Sequence, residues 1–316
     1  MINYTIDQNS EGQRADRFLQ KFFPEASKGF LQKMLRKKRI KLNHARVEAK
    51  TMLKAGDIFS FYFSEETYQR FRGMQDNHQE PDLTKALPLL DMMSYPVLET
   101  DRLLVLNKPA GWLTQPDGSG KISVADVIKI LGPKHDTFHP APANRLDFGT
   151  SGIILVPKDY NTQKQLLTAI REHRVEKEYL VLVSGKISKS GEIRQSLTKN
   201  PKTNTVKSDT VGKTAFLTYT PVYTTDDFTL VKVKLMTGRS HQIRVQMASI
   251  GHPVIGDYKY GDHSLNRKLE ASVTTLPLML HSHHYAAPDL NIDVTAPISK
   301  DFKAVLKTVG IKKRQF

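Results

Sequence analysis

Phe30, Leu31, Met34 and Leu35 fall at helical spacing behind Ser27, a residue suited to an N-cap, and basic side chains occupy the remaining positions through Arg39. This pattern predicts an amphipathic helix with a cationic outer face. An earlier helix is predicted over 15–22. Ile40, Leu42 and Val47 read as short strand residues, Ala55-Gly56-Asp57 as a turn, and IFSFYF at 58–63 as a strand, which closes a compact module over 12–63. Residues 64–90 are polar and mixed, contain Pro81 and Pro88, and read as a linker.

The region from 91 to 316 has a different texture. Apolar runs at 103–106 and 153–156 predict buried strands, the first leading into the turn cluster Asn107-Lys108-Pro109-Ala110-Gly111. Further strands are predicted over 179–183 and 228–235. In the second of these, Val231, Val233 and Leu235 alternate with Lys232 and Lys234, as in a half-buried strand. Helices are predicted over 162–173, with Leu166, Leu167 and Ile170 inward, and from Ser240, with Ile243, Met247 and Ile250 on one face and Gly251 closing it. Strands outnumber helices without regular alternation, so the fold class is α+β.

Charge sharpens this picture. The 316 residues hold 47 Lys+Arg against 32 Asp+Glu, a net charge of +15 that favours polyanionic partners, nucleic acid or anionic membrane. Ten basic residues against the single acid Glu48 lie within 28–54. Lys33, Arg36, Lys37, Lys38, Arg39 and Lys41 form the stripe expected to contact RNA, the alternative being an ordinary solvated helix face. There is no cysteine, which excludes disulfides, thiolate nucleophiles and Cys-based metal sites. No apolar run approaches the ~18 residues of a membrane span. The start, MINYTIDQNSEGQR, lacks the pattern of a signal peptide, so a cytoplasmic location is expected. Gly212-Lys213-Thr214 lacks a glycine at position 207, and Gly118-Ser119-Gly120-Lys121 is followed by Ile122, so neither completes a phosphate loop. Gly149-Thr150-Ser151-Gly152 is not the hydrolase nucleophile elbow. His281, His283 and His284 have no carboxylate or cysteine at ligand spacing and read as a strand with alternating histidines or an RNA-facing surface; no metal site is expected.

The chemistry concentrates in ANRLDFGTSGIILV (143–156), where Asp147 sits on a Gly/Thr/Ser loop anchored by a strand. Alone, this aspartate could simply bond its own backbone. Two further segments add to it: Val175-Glu176-Lys177-Glu178-Tyr179, and Thr237-Gly238-Arg239-Ser240-His241-Gln242-Ile243-Arg244. Together the three resemble the signature of the RluA-type pseudouridine synthases: HRLDxxTSG, a Lys-x-Tyr segment, and GRxHQIR followed by GHPxxGDxxYG. Here they read NRLDFGTSG, KEY and GRSHQIRVQMASIGHPVIGDYKYG (238–261). DRLLVLNKPAGWLTQP (101–116) and LHSHHYAAPD (280–289) resemble the opening and closing segments of that family, and 12–63 resembles its S4 RNA-binding module. Asn144 replaces the usual histidine before Arg145, and Met236 stands where lysine or threonine is common.

The resemblance implies a catalytic domain over 91–316 built on a mixed, mostly antiparallel sheet, preceded by a small S4-like αβ module. It implies isomerisation of uridine to pseudouridine: the N1–C1′ bond breaks, the base turns and rejoins through C5, no atom is gained or lost, and no cofactor is needed. It makes Asp147 the catalytic carboxylate, attacking either C1′ or C6. Arg244 becomes its ion-pair partner, the alternative for that residue being a phosphate contact. Tyr179 becomes the aromatic that packs on the target base and a candidate proton acceptor, the alternative being a core residue. Arg145 fills the space left by the flipped base, and Arg239, His241 and Gln242 line the substrate site. The implied substrate is large-subunit ribosomal RNA, handled by a monomer. The alternatives are tRNA, or a non-catalytic RNA-binding or assembly role.

Overall fold

The computed structural model describes residues 1–73, 83–132, 137–200 and 203–311. The N-terminal module runs β1 (Ile2–Thr5), α1 (Ala15–Phe22), α2 (Lys28–Arg36), β2 (Ile40–Leu42), β3 (Ala45–Arg46), β4 (Ile58–Phe61) and α3 (Glu65–Arg72). Ser27 caps α2 as its pattern predicts, its hydroxyl accepting the Phe30 N–H at 3.2 Å. The four strands form a sheet in the order β1-β4-β2-β3, and α1 and α2 bury their apolar stripes together with it. Phe18, Phe22, Phe23, Phe59 and Phe61 are wholly buried. At roughly 1.5–3 kcal/mol for each large apolar side chain buried, these rings dominate the stability of so small a unit.

The limits 12–63 prove too narrow on both sides. β1 pairs with β4 from Ile2↔Phe61 to Thr5↔Ile58. Helix α3, inside the stretch read as linker, packs Tyr68 and Phe71 on the aromatic core. Its glutamate- and arginine-rich sequence hides those two rings. Residues 74–82 lie outside the described residues, and by residue 87 the chain is already helical and part of the larger domain. The module touches that domain through a 2.6 Å hydrogen bond between Ser10 Oγ and Thr137 Oγ1, and through Lys21 Nζ, 5.7 Å from the centre of the Tyr160 ring.

The larger domain contains α4 (Leu87–Ser94), β5 (Leu98–Glu99), β6 (Leu103–Lys108), α5 (Val124–Leu131), β7 (Ser151–Pro157), α6 (Tyr160–Arg171), β8 (Glu176–Ser184) and β9 (Gly191–Asn200). It continues with β10 (Thr205–Ser208), β11 (Lys213–Thr224), β12 (Phe228–Leu235), α7 (Gln242–Ser249), α8 (His263–Glu270), β13 (Leu280–Ala287), β14 (Ile292–Thr295) and α9 (Lys300–Thr308). The sheet runs β10-β9-β11-β12-β8-β13-β7-β6-β5, with β14 added to β13. Among the described residues its pairings are antiparallel except β13 with β7, which run parallel at His281↔Ser151 and Ser282↔Gly152. The fold is α+β, as the pattern predicts.

That parallel junction positions the chemistry. Gly152 has φ +114°, and a Cβ there would lie 2.2 Å from the Ser282 carbonyl oxygen, so only glycine lets the two strands approach. His281, wholly buried, bridges Ser151 Oγ (2.9 Å) and the Ala296 carbonyl (3.1 Å), tying β7, β13 and the end of β14 together. The histidine cluster thus lies on a strand, and His281 serves the fold. Two other patterns resolve differently from expectation. Leu167 points outward on α6, where Ala169 joins Leu166 inside. Helix α7 begins at Gln242 and buries polar as well as apolar residues: Gln246 Nε2 donates to the Ile193 and Ala215 carbonyls.

Candidate active site

Asp147 lies on the loop that enters β7, and that loop is pinned at every side. Asn144 Nδ2 donates to the Ile153 carbonyl (2.9 Å) and its Oδ1 accepts the Leu155 N–H (2.8 Å), which fastens the loop to β7. The amide that replaces the usual histidine therefore has a defined structural task. Thr114 Oγ1 donates to the Leu146 carbonyl and accepts the Leu146 N–H, at 2.9 and 3.2 Å. Thr150 N–H donates back to the Asp147 carbonyl at 3.0 Å.

Lys108, at the end of β6, is wholly buried beneath this loop. Its Nζ donates to the carbonyls of Pro109 (3.0 Å), Trp112 (2.8 Å) and Phe148 (3.3 Å), joining the Asn-Lys-Pro turn to the residue after Asp147. Burial pushes this lysine down to about 7, while the charge of Asp147 acts in the opposite sense.

The Asp147 side chain retains 27% of its exposure, and its Oδ2 lies 3.3 Å from Arg244 Nη1 and 3.9 Å from His241 Nε2. Arg244 projects from the first turn of α7 and is nearly buried. Asp257, itself wholly buried, clamps it from behind, accepting from Nε at 2.7 Å and from Nη2 at 2.8 Å. Burial alone would raise the Asp257 carboxyl, but its bonds and charge pairing with Arg244, together with the Lys259 and Tyr260 N–H groups, hold it below the usual carboxylate range. Burial likewise acts to lower Arg244, and its two carboxylate partners outweigh it. One guanidinium edge is thus spent on a fixed anchor while the other faces Asp147, so the ion pair has a set direction. Asp257 lies inside the GHPVIGDYKYG stretch, yet nothing in its spacing marks it as a partner of Arg244, and the sequence reading gave it no role.

His241 caps α7 in the left-handed conformation (φ 52°), and its Nδ1 lies 2.7 Å from the Tyr260 hydroxyl. That hydroxyl accepts the Val206 N–H, also at 2.7 Å. Burial lowers the His241 pKa, Asp147 opposes this and Arg244 adds to it, so the imidazole is neutral near pH 7. Tyr179, on β8 across from Ser282, is almost fully buried. Burial pushes its phenol up to about 12, and the nearby charge of Asp147 works in the same direction. At neutral pH this is a protonated phenol. In that state the ring can pack against a base and the hydroxyl can donate a hydrogen bond.

Of the remaining residues, Arg145 is exposed on the loop beside Asp147. Arg239 is exposed, with Nε bonded to the Thr214 carbonyl at 3.0 Å. Gln242 does not line the site: it is buried, its Oε1 accepting from Arg239 N–H and Thr237 Oγ1 and its Nε2 donating to the Phe216 carbonyl. All its polar capacity holds the strand-to-helix turn. In the N-terminal module Lys33, Arg36, Lys37, Lys38 and Arg39 are exposed, and Lys41 lies half-buried with Nζ 5.1 Å from the centre of the Tyr62 ring. Among the described residues no group of three or more His, Cys, Asp or Glu could hold a metal ion, and no helix is long and apolar enough to cross a membrane.

Residues 102–249 match the family described as RNA pseudouridylate synthase, a span that includes Asp147, Tyr179 and Arg244. A ribosomal large subunit pseudouridine synthase C of Haemophilus ducreyi is 30% identical over 98% of this chain and 96% of its own length. The chain belongs to the RNA pseudouridine synthase family. Relatives of the same name in Buchnera aphidicola (31% identical, 96% of each chain) and Vibrio vulnificus (29%, covering 96% of this chain and 95% of that one) match at similar length. The fold agrees with two human proteins, RNA pseudouridylate synthase domain containing 4 and 1. Their TM-scores are 0.61 and 0.54 at 20% and 24% identity, over 72% and 66% of this chain and 97% and 86% of theirs. The matched span therefore holds the Asp147 loop, strand β7 behind it and the α7 arginine that faces it.

Proposed function

We propose that this pseudouridine synthase isomerises specific uridines of large-subunit ribosomal RNA, with Asp147 as the catalytic carboxylate. The observation that carries this reading is the chain Asp147–Arg244–Asp257, in which a half-open carboxylate faces a guanidinium that is immobilised from behind. The names of the full-length relatives support ribosomal RNA as the substrate.

In this reading the target uridine leaves its stack, at a cost of a few kcal/mol, and enters the space above Asp147. The carboxylate attacks C1′ or C6 and the N1–C1′ bond breaks. The detached uracil turns, C5 bonds to C1′, the bond to Asp147 breaks and frees the carboxylate, and the C5 proton is lost to solvent as N1 regains one. Arg244 orients the attacking oxygen. Tyr179 supplies a flat, protonated surface for the base, and Arg145, exposed beside Asp147, occupies the vacated stack. The S4-like module contributes phosphate contacts through Lys33, Arg36, Lys37, Lys38, Arg39 and Lys41, and the enzyme works as a cytoplasmic monomer.

The test is tritium release from C5-labelled uridine in unmodified large-subunit ribosomal RNA. Wild type should release label and Asp147→Asn should lose at least about three orders of magnitude in turnover while still binding RNA. Full turnover by Asp147→Asn, or release from tRNA alone, would overturn the corresponding part. Replacing Arg36 and Lys37 by alanine should weaken binding and flatten its dependence on log salt by about 2.

A further inference from the structure

Beside the catalytic loop lies a cleft of about 400 Å³ lined by Trp112, Leu113, Ile122, Phe148, Lys85 and Lys121, the last preceded by Gly120. Phe148 directly follows Asp147 and leaves 47% of its surface exposed, an unusual state for a phenylalanine that the fold could have turned inward. Lys121 Nζ stands 5.3 Å from the centre of that ring. Lys85 and Lys121 are the charged side chains of the lining, and among the described residues no carboxylate lines it. Gly118 and Gly120, at φ +84° and +76°, have nothing within 4 Å of where a Cβ would be, so the wall beneath Lys121 is open for close approach.

The cleft is also rigidly indexed to Asp147. Gly111 N–H and Lys108 Nζ both donate to the Phe148 carbonyl, at 2.9 and 3.3 Å, and Thr114 is bonded to both backbone groups of Leu146. Whatever sits against Trp112 and Phe148 is thereby held at a fixed offset from the carboxylate.

We propose that this cleft is a second nucleotide subsite, which stacks the base of the RNA residue adjacent to the target uridine against Phe148 and Trp112 and places its phosphate by Lys121. Aromatic faces rimmed by lysine suit an unstacked nucleotide in general, because every base has a π-face and every linkage a negative charge. A base flipped from a helix leaves its neighbour unstacked on one side, and a ready platform next to the catalytic loop compensates for that loss. The inference rests on the reading of Asp147 as the carboxylate acting on RNA.

Trp112 is the sole tryptophan of the chain, so its emission reports on the cleft directly. The probe is the full chain carrying Asp147→Asn, titrated with unmodified large-subunit ribosomal RNA and corrected against free tryptophan in the same RNA. Emission should quench on binding. In the otherwise wild-type enzyme, Phe148→Ala should raise KM about tenfold with kcat within about twofold, and Phe148→Tyr should behave as wild type. Substrates containing an abasic residue on one side of the mapped target should reproduce the KM increase, and with them Phe148→Ala should cost nothing more. Unchanged emission at saturating RNA, an unchanged KM in Phe148→Ala, or a loss confined to kcat would each overturn the subsite. Failure of the wild-type enzyme to release tritium from any RNA would instead count against the catalytic reading, and the emission of Trp112 would still decide whether the cleft takes a nucleotide.

Discussion

The N-terminal module encloses Phe18, Phe22, Phe23, Phe59 and Phe61 and has no charged residue among its buried ones, whereas the catalytic sheet encloses Lys108, Asp257, Gln242, Gln246 and His281 and nearly encloses Arg244. In the first region stability comes chiefly from apolar area. In the second, a large apolar core surrounds a smaller set of buried polar side chains whose hydrogen bonds fix them in place. The larger domain thus adds to its apolar packing a set of polar side chains fixed in direction around the Asp147 carboxylate.

The contrast can be broken at its strongest point by Asp257→Asn. Arg244 would then keep Asp147 alone as a charged partner. Turnover should fall about a hundredfold through misorientation, and the catalytic domain should lose about 3 kcal/mol in urea unfolding. Loss of stability with intact turnover would show that the clamp serves only the fold. Phe22→Ala should cost the module about 3 kcal/mol or more through the cavity it opens, lowering RNA affinity while a short uridine substrate is still turned over. If that variant shifted the unfolding of both regions equally, the two would be one cooperative unit.

The smallest effect concerns pH. Burial pushes His281 down to about 4 from its ordinary 6.5, and it also lowers His283 and His241. The unfolded chain therefore takes up protons that the folded one refuses. The contribution of His281 alone is full above about 6.5 and should decline by roughly 1 kcal/mol per pH unit as pH falls toward 4. His281→Asn should flatten that slope. Between about pH 6.5 and 5, unfolding of the aromatic module should stay level.

Apolar periodicity exposed what depends on apolar packing. The pattern of 15–22 matches α1 residue for residue, and 228–235 matches β12. It fails where the interior is polar or the strand is wet. Strand β9 buries Ile193 and Leu197, four residues apart, with polar residues between, so the alternation of a strand never shows. Gln242 looks like a ligand-binding amide because glutamine is usually exposed, and only the bonds to Phe216, Thr237 and Arg239 reveal it as a structural brace. At the site, the motifs place Asp147 and Arg244 97 residues apart in sequence but name both; Asp257 needs the fold, because its role arises from lying behind a guanidinium. Phe148 lies inside a motif, but its exposure is a property of the fold that no motif records.

The parallel contact between β7 and β13 has a consequence for biosynthesis. Ser151 and Gly152 meet His281 and Ser282, so the floor under Asp147 is finished by a strand made 130 residues later. Contacts so distant along the chain close late. A nascent chain emerging from the ribosome can complete its aromatic module, basic stripe included, well before residue 280 appears, so the exposed cations are in place ahead of the strand that seats the carboxylate.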